Sequence, residues 1–305
     1  MKNVIFIYLV IFSLISCKTK GENNENTSIN GKINKNFKTN KMNNINYKEP
    51  IYTLEVQSAG PYKIFLDDIE IDRNFEKGAV NYSIDINQWI LNSGKIELKA
   101  HLYPSKNSAS QEIVTQEIVN YFELKIFVRE KQEDITKNKL IKTFKITNYT
   151  NLDYELVRVW DFDIKVPYKL EGWSNSNNLS KINKDVLLGK VIAQYKTLLD
   201  IINDGKDNEY FAFYKNADEE FYTSNYYTSY EINDAKNSIK SLLKESKGKT
   251  ILSENYKLVF YNYGNLVCLE DSKGNSPLKA DLGNEFQYYS IMLKMNSNGV
   301  MEVIR

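Results

Sequence analysis

Apolar and polar residues alternate along the chain from residue 51 to about residue 166, as they do in strands that bury one face. Turn residues interrupt this alternation at short intervals: Asp67-Asp68 predicts a hairpin, and Asn92-Ser93-Gly94 predicts a further turn. The spacing predicts an all-β antiparallel domain, a sandwich or a barrel, over residues 51–173. The clearest predicted strands cover residues 52–56, 62–66, 95–102, 121–128, 140–146 and 154–166.

The pattern changes after a polar stretch at residues 174–180. Apolar side chains in residues 185–203 recur at helical spacing, and residues 209–227 and 232–245 complete a predicted set of helices. Strand patterns then return at residues 256–261, 266–269, 286–295 and 300–304, with a loop through Gly274 and Pro277. This order predicts an α+β domain over residues 181–305, with helices first and a curved antiparallel sheet afterwards.

The chain begins with a short apolar run, residues 4–13, that follows the single positive charge of Lys2. The run is too short to span a membrane and has the character of a signal peptide. The residues that close it, Leu14-Ile15-Ser16-Cys17, resemble the lipobox of bacterial lipoproteins. The resemblance implies a signal peptide over residues 1–16, with Cys17 as the acylated first residue of the mature chain. An ordinary secretory signal with an incidental cysteine is the alternative.

A membrane anchor at Cys17 implies a location in the cell envelope, and we expect the outer membrane; the periplasmic face and the cell surface both stay open. Residues 17–50 are rich in Asn, Lys, Thr and Gly and nearly free of apolar side chains. A segment of this composition buries too little apolar surface to offset the conformational entropy lost on folding. It is therefore predicted to be a disordered tether between the lipid anchor and the folded domains.

Two stretches resemble known folds in their framework positions. Residues 60–100 contain a run from Gly60 to Ile71 and a Gly94-Lys95-Ile96 turn that are similar to the jelly-roll modules appended to glycoside hydrolases. Residues 181–305 are similar in layout to NTF2-like and cystatin-like domains. Both resemblances imply a fold and carry no binding residue to this chain.

Charge and cysteine content limit the classes of function. The 40 Lys and Arg residues nearly balance 39 Asp and Glu residues, which disfavours a nucleic-acid partner. With Cys17 committed to lipid, Cys268 is the only other cysteine, so no intramolecular disulfide is expected. Cys268 follows Leu266-Val267, a setting that predicts a buried, unreactive thiol.

The sequence contains no recognisable catalytic or cofactor-binding constellation. Its one histidine, His101, shares a strand face with Glu97 and Lys99 and is expected to face solvent. One histidine and one free cysteine do not supply the usual zinc ligand sets, and the sequence has no Walker or GxGxxG phosphate loop. No cofactor is therefore expected.

Asp161 and Asp163 are weak candidates for a paired-carboxylate or calcium site. They lie two residues apart on one predicted strand face, which separates their side chains by about 6 to 7 Å. That spacing is compatible with glycosidase chemistry or with a calcium ion. Charged residues on an ordinary exposed face explain the pair equally well.

Tyr222, Tyr226 and Tyr230 recur at i, i+4 and i+8 in an aromatic-rich stretch. With Trp173 they are candidates for lining a hollow between the helices and the sheet, since tyrosines combine large contact area with a polar tip. Packing of a helix against the sheet is the simpler alternative.

These observations predict a lipid-anchored, non-enzymatic envelope protein that binds a protein partner. An immunity-type lipoprotein that neutralises a toxin is one form of this prediction. The alternatives are a glycan-binding envelope lipoprotein and an NTF2-like domain that binds or transforms a small molecule.

Overall fold

The computed structural model describes residues 3–5, 47–76, 78–105, 113–147, 154–283 and 285–304. The predicted lipidation site Cys17, and most of the predicted signal peptide and tether, lie outside these ranges. The described chain is an α+β mixture in which four sheets, mostly antiparallel, are joined by a group of helices. None of the helices within these ranges combines the length and the apolar character needed to cross a membrane.

Residues 47–168, here called the two-sheet half, contain two four-stranded antiparallel sheets. The first sheet has the order β5-β2-β7-β8, with strands Pro50–Ser58 (β2), Val80–Asp85 (β5), Glu123–Glu130 (β7) and Lys139–Lys145 (β8). The second has the order β4-β3-β6-β9, with strands Tyr62–Leu66 (β3), Ile69–Asn74 (β4), Gly94–Leu102 (β6) and Leu156–Ile164 (β9).

One hydrophobic cluster lies between these two sheets. In β6 the side chains of Ile96, Leu98, Ala100 and Leu102 are buried, and the residues between them are only partly covered. The alternation in the sequence therefore corresponds to a real inner face. A short helix, Gln116–Tyr121 (α1), belongs to the same cluster, and Thr115 caps its N-terminus.

The hairpin predicted at Asp67-Asp68 is present between β3 and β4. Both residues have left-handed backbone conformations, with φ of 46° and 63°, which Asp tolerates better than most residues. The Asp67 carboxylate accepts a hydrogen bond from the Glu97 amide at 3.0 Å, whereas the Asp68 carboxylate accepts one from the Tyr263 amide at 2.9 Å. The hairpin thus contacts the other half of the molecule.

Residues 174–304, here called the helical half, begin with a 21-residue helix, Lys184–Asp204 (α2), which ends at Gly205 in the left-handed conformation. The segment expected to be one helix over residues 209–227 is two helices, Asp207–Phe213 (α3) and Lys215–Ser224 (α4). Tyr214 leaves helical geometry between them, and its hydroxyl donates to the Ser290 carbonyl at 3.2 Å. A capping box of Thr228 and Glu231 starts the last helix, Ser229–Ser246 (α5).

The expectation of a single curved sheet in the helical half is wrong, because its strands form two sheets. The predicted strand over residues 286–295 divides: the Tyr289 amide donates to the Leu278 carbonyl, and the chain then crosses to the other sheet. One sheet, β11-β12-β15-β16, comprises Lys257–Tyr261, Leu266–Glu270, Leu293–Met295 and Met301–Val303. The other, β1-β14-β13-β10, comprises Asn3–Ile5, Glu285–Tyr288, Leu278–Asp281 and Thr250–Leu252.

The strand Asn3–Ile5 lies within the predicted signal peptide, and it is the one member of these sheets that pairs in parallel, against Glu285–Gln287. All other strand pairs within the described ranges are antiparallel.

The two halves meet on the outer face of the sheet that contains β4. A separate hydrophobic cluster fills this junction and combines Ile69 of the two-sheet half with Tyr261 and Cys268 of the helical half. Polar contacts join the halves as well: the Asn262 side chain donates to the Asp67 carbonyl at 2.9 Å. The outer face of this sheet is therefore partly an interior surface.

Candidate functional site

A cavity of about 110 Å³ lies at the junction, between α4, the strand β12 and the outer face of the two-sheet half. Most of its wall belongs to the helical half, and Glu70, Gln88 and Trp89 close it from the other side. The lining residues are Glu70, Gln88, Trp89, Tyr195, Tyr214, Ala217, Asp218, Phe221, Tyr261, Cys268, Leu269, Glu270, Gly274, Ser276, Ser290, Ile291 and Met292.

Asp218 is the acidic residue that α4 contributes to this lining. It is only 9% exposed, and its carboxylate makes no hydrogen bond or ion pair with any residue in the described ranges. Burial raises the pKa of Asp218 to about 7; Lys236 acts in the opposite direction and Glu219 adds to the rise. At neutral pH the group is therefore divided between its charged and neutral forms.

The Glu270 carboxylate is held by two neighbours in the same wall. The Tyr261 hydroxyl donates to its Oε1 at 2.6 Å, and the Cys268 thiol lies 3.7 Å from the same oxygen. Burial, reinforced by the charge of Glu270, holds the pKa of Cys268 well above its ordinary value. Cys268 is buried, as predicted, and its thiol stays protonated, so it is a poor nucleophile.

The Glu70 carboxylate, 8% exposed on β4, is neutralised from the two-sheet half. Arg73 Nε lies 2.5 Å from one carboxylate oxygen and Lys63 Nζ lies 2.8 Å from the other. The Arg73 guanidinium also donates across the junction to the carbonyls of Gly274, at 2.7 Å, and Lys273, at 3.2 Å. A Cβ at position 274 would lie 1.4 Å from Arg73 Nη1, and φ there is +80°, so this contact requires glycine.

A second, more polar cleft of about 370 Å³ lies behind α4. Lys294 is buried in its wall, 2.9 Å from Glu171 Oε1 and 3.5 Å from Glu302 Oε2. Glu220 accepts a hydrogen bond from the Gly172 amide at 2.7 Å. Glu171 and Glu302 satisfy the buried cation, and the Gly172 amide binds Glu220, so this cleft is a structural network.

The structure does not bring the four predicted aromatic site residues into the cavity lining. Trp173 is buried in the junction cluster, and Tyr222 is buried with its ring stacked on Tyr227. Tyr226 is half-buried with its ring 5.7 Å from that of Tyr168 in the two-sheet half, whereas Tyr230 is 80% exposed. Tyr226 has a φ of +55° and lies between α4 and α5, so the expected single helical stripe of tyrosines is wrong.

His101 and the Asp161–Asp163 pair lie away from the cavity. The His101 side chain is only 22% exposed because Glu155 Oε1, 2.6 Å from Nδ1, and the Phe65 ring cover it. Asp161 and Asp163 are exposed on β9, and Asp161 lies 3.7 Å from Lys95 Nζ. Across the described ranges, no group of three or more His, Cys, Asp or Glu side chains is arranged to hold a metal ion.

Sequence reasoning missed the three carboxylates of the cavity. Glu270 carried a usable signal, because it directly follows the continuous apolar run Leu266-Val267-Cys268-Leu269. Glu70 and Asp218 carried none: the first alternates with apolar neighbours as an outward residue would, and the second is followed by two further acidic residues on a helix.

Comparison of the chain with protein-family models, with curated proteins and with solved structures found no match.

Proposed function

We propose that the protein is an envelope lipoprotein, anchored through Cys17, that binds a small organic molecule in the junction cavity without transforming it. The observation that carries the proposal is Asp218, a carboxylate without a hydrogen bond or ion pair among the described residues, in the wall of a cavity whose lining includes five aromatic residues. Ligand sites commonly combine an apolar wall with a few convergent polar groups. A buried carboxylate without a partner lowers the stability of the fold, so its presence indicates that a function requires it.

Binding accounts for the site better than catalysis does. Cys268 is held protonated, and the single histidine lies on β6, where Glu155 engages it. Glu270 is occupied by Tyr261. Asp218 has no second acid, base or nucleophile hydrogen-bonded to it among the described residues, whereas acid-base and covalent catalysis normally use coupled groups.

The fold assignment is part of the same proposal. Two four-stranded sheets around one cluster support a jelly-roll-like sandwich for the two-sheet half. Helices packed against antiparallel sheets support an α+β assignment for the helical half.

The proposal is tested by thermal unfolding of the full-length chain in detergent with a set of small molecules that differ in charge and shape. Ala217→Leu fills space in the cavity wall, and Ala193→Leu, on the exposed face of α2, is the matched control. A true ligand raises Tm in the parent and in Ala193→Leu but not in Ala217→Leu. If no molecule of any charge raises Tm, or if Ala217→Leu responds as the parent does, the proposed cavity function is wrong.

A protein partner is the second candidate, and Tyr230 favours it. Its ring is 80% exposed at the start of α5, where it adds nothing to a core, and exposed aromatic residues are typical anchors of interfaces. The test is a pull-down from envelope extracts with the parent chain and with Tyr230→Ser. A partner retained by the parent and lost by Tyr230→Ser supports protein binding. Binding of a defined glycan on a glycan array would instead support the glycan-binding alternative.

A further inference from the structure

The charged residues in the lining of the junction cavity are all acidic. Three carboxylates, those of Glu70, Asp218 and Glu270, contribute to its lining, and no Lys, Arg or His does. Glu70 is paired with Arg73 and Lys63, and Glu270 accepts from Tyr261. Asp218 is the one of the three whose carboxylate has no hydrogen bond or ion pair with another described residue.

The other polar groups in the wall are largely used within the protein. The Tyr195 hydroxyl donates to carbonyl oxygens at 3.3 Å and accepts from the Leu269 amide at 2.9 Å. The Tyr214 hydroxyl donates to Ser290, and the Ser276 hydroxyl donates to Tyr289. A ligand therefore meets aromatic and aliphatic side chains, and the Asp218 carboxylate is an acceptor without a donor among the described residues.

Aromatic rings and an unpaired carboxylate together favour a cation. The negative face of an aromatic ring attracts ammonium groups, and Trp89, Tyr214 and Phe221 contribute rings to this lining. A carboxylate or phosphate ligand would be repelled by Asp218 and would find no cationic side chain in the wall. A volume of about 110 Å³ limits the occupant to a few heavy atoms.

We propose that the molecule bound in the junction cavity is a small organic amine in its ammonium form, whose N–H groups donate to the Asp218 carboxylate. This inference rests on the proposed function and specifies the class of ligand. The aromatic side chains hold the alkyl part of the amine, and Asp218 selects for charge.

The charge of the site depends on pH. Asp218 is faced by Lys236 from α5, by Tyr210 and Tyr214 at the end of α3, and by Glu219 and Tyr222 on its own helix. Burial raises the pKa of Asp218 to about 7, whereas an alkylammonium group stays protonated up to about pH 10. Amine affinity therefore rises as the pH increases from 5 to 8, because only the ionised carboxylate attracts the cation.

The experiment compares isobutylamine with isobutanol, its neutral isostere, and with isobutyrate, an anion of similar size. Binding to the full-length chain in detergent is measured by saturation-transfer NMR and titration at pH 8. We expect isobutylamine to bind at least about tenfold more tightly than isobutanol, the ratio typical of a charge-assisted hydrogen bond, and isobutyrate not to bind.

Asp218→Asn removes the charge at nearly constant shape and should abolish the preference for the amine while keeping weak isobutanol binding. Asp234→Asn, at an exposed position of α5, is the control and should keep the preference. The pH series on the parent chain gives a second measurement that needs no variant.

Equal binding of amine and alcohol, or an amine affinity that Asp218→Asn leaves unchanged, would overturn the ammonium assignment and leave the cavity function standing. A flat affinity between pH 5 and pH 8 would overturn it too. Failure of isobutylamine, isobutanol and isobutyrate to bind would also reject the ammonium assignment. The proposed cavity function fails only if, in addition, the thermal-unfolding screen gives no ligand whose effect Ala217→Leu removes.

Discussion

The side-chain amide of Asn87 donates to the carbonyl oxygen of Ser224 across the junction, at 2.9 Å. The same nitrogen donates to the Pro50 carbonyl at 2.8 Å, and the side-chain oxygen accepts from the Tyr52 amide at 2.7 Å. Asn87 is fully buried and opens the turn that carries Gln88 and Trp89 into the cavity wall. One satisfied side chain thus joins the two halves and positions part of the site.

Replacing Asn87 by Ala should destabilise the protein strongly, because it leaves buried donors and acceptors without partners. Each such group costs about 1–3 kcal/mol, so we expect a loss of about 2–4 kcal/mol in the free energy of unfolding, measured by urea denaturation. Asn81→Ala, at an exposed position of β5, is the control and should cost less than about 0.5 kcal/mol. Similar losses in the two variants would contradict the bridging role of Asn87.

Asp218 should make the protein less stable as the pH rises. The folded state keeps its proton up to about pH 7, whereas the unfolded state loses it near the ordinary value of 3.8. Over that interval the folded state binds more protons, so its stability falls with increasing pH, by about 4 kcal/mol if the whole shift is realised.

Asp218→Asn therefore should match the parent near pH 4 and exceed it at pH 8, when both are unfolded in urea. Asp234→Asn, at an exposed position of α5, should follow the parent at both values. The account of Asp218 fails if its Asn variant is the less stable protein at pH 8.

The Cys268 thiol should resist alkylation in the folded protein. It is buried and its pKa is raised, so iodoacetamide at pH 7.5 should label it more than about tenfold more slowly than in urea. Peptide mapping by mass spectrometry identifies the labelled position. Rapid labelling of the folded chain would show that the junction opens readily.

Tyr226 should contribute through its ring and not through its hydroxyl. The hydroxyl is buried without a hydrogen-bond partner in the described structure, whereas the ring contacts that of Tyr168. Tyr226→Phe should change the free energy of unfolding by less than about 1 kcal/mol, and Tyr226→Ala should cost about 1–3 kcal/mol. Tyr230→Ala, at an exposed position, should stay within about 0.5 kcal/mol of the parent. A Phe variant as unstable as the Ala variant would reveal a missed hydrogen bond.

The lipid anchor predicted at Cys17 is tested by detergent phase partitioning of protein expressed with its complete N-terminus. We expect the parent and Cys268→Ala to enter the detergent phase, because acyl chains on Cys17 bind firmly to detergent and membranes. Cys17→Ala has no thiol to acylate and should stay in the aqueous phase. Equal partitioning of all three would remove the basis for an envelope lipoprotein.

The strands of the two-sheet half were predictable because one face of each is buried and the other is not. β3 and the hairpin at Asp67-Asp68 match their predicted positions, and the predicted runs around β6 and β9 differ from the structure mainly at their ends. The helix α1 was missed because six residues are too few for a helical period to show. The break at Tyr214 was missed because no glycine or proline marks it in the sequence. It coincides instead with a hydrogen bond from the Tyr214 hydroxyl to a residue that is distant in sequence, Ser290.

The site was not predictable for a different reason. Periodicity marks Glu70 as a residue on the outer face of its sheet, but it cannot tell whether that face meets water or another part of the chain. Asp218 and Glu270 lie 148 and 200 positions further along, and they approach Glu70 only because the helical half covers this face. A single sequence contains no local signal for such a meeting.

The three tryptophans of the chain are unevenly placed. Trp160 packs against Phe144 in the two-sheet half, whereas Trp89 and Trp173 border the junction; none belongs to the cluster beneath the helices. Intrinsic fluorescence therefore reports on the two-sheet half and on the junction, while circular dichroism at 222 nm is dominated by the helices of the helical half. Coincident denaturation curves from the two signals would mean that the junction couples the two halves into one cooperative unit. Separated curves would mean that each half unfolds on its own.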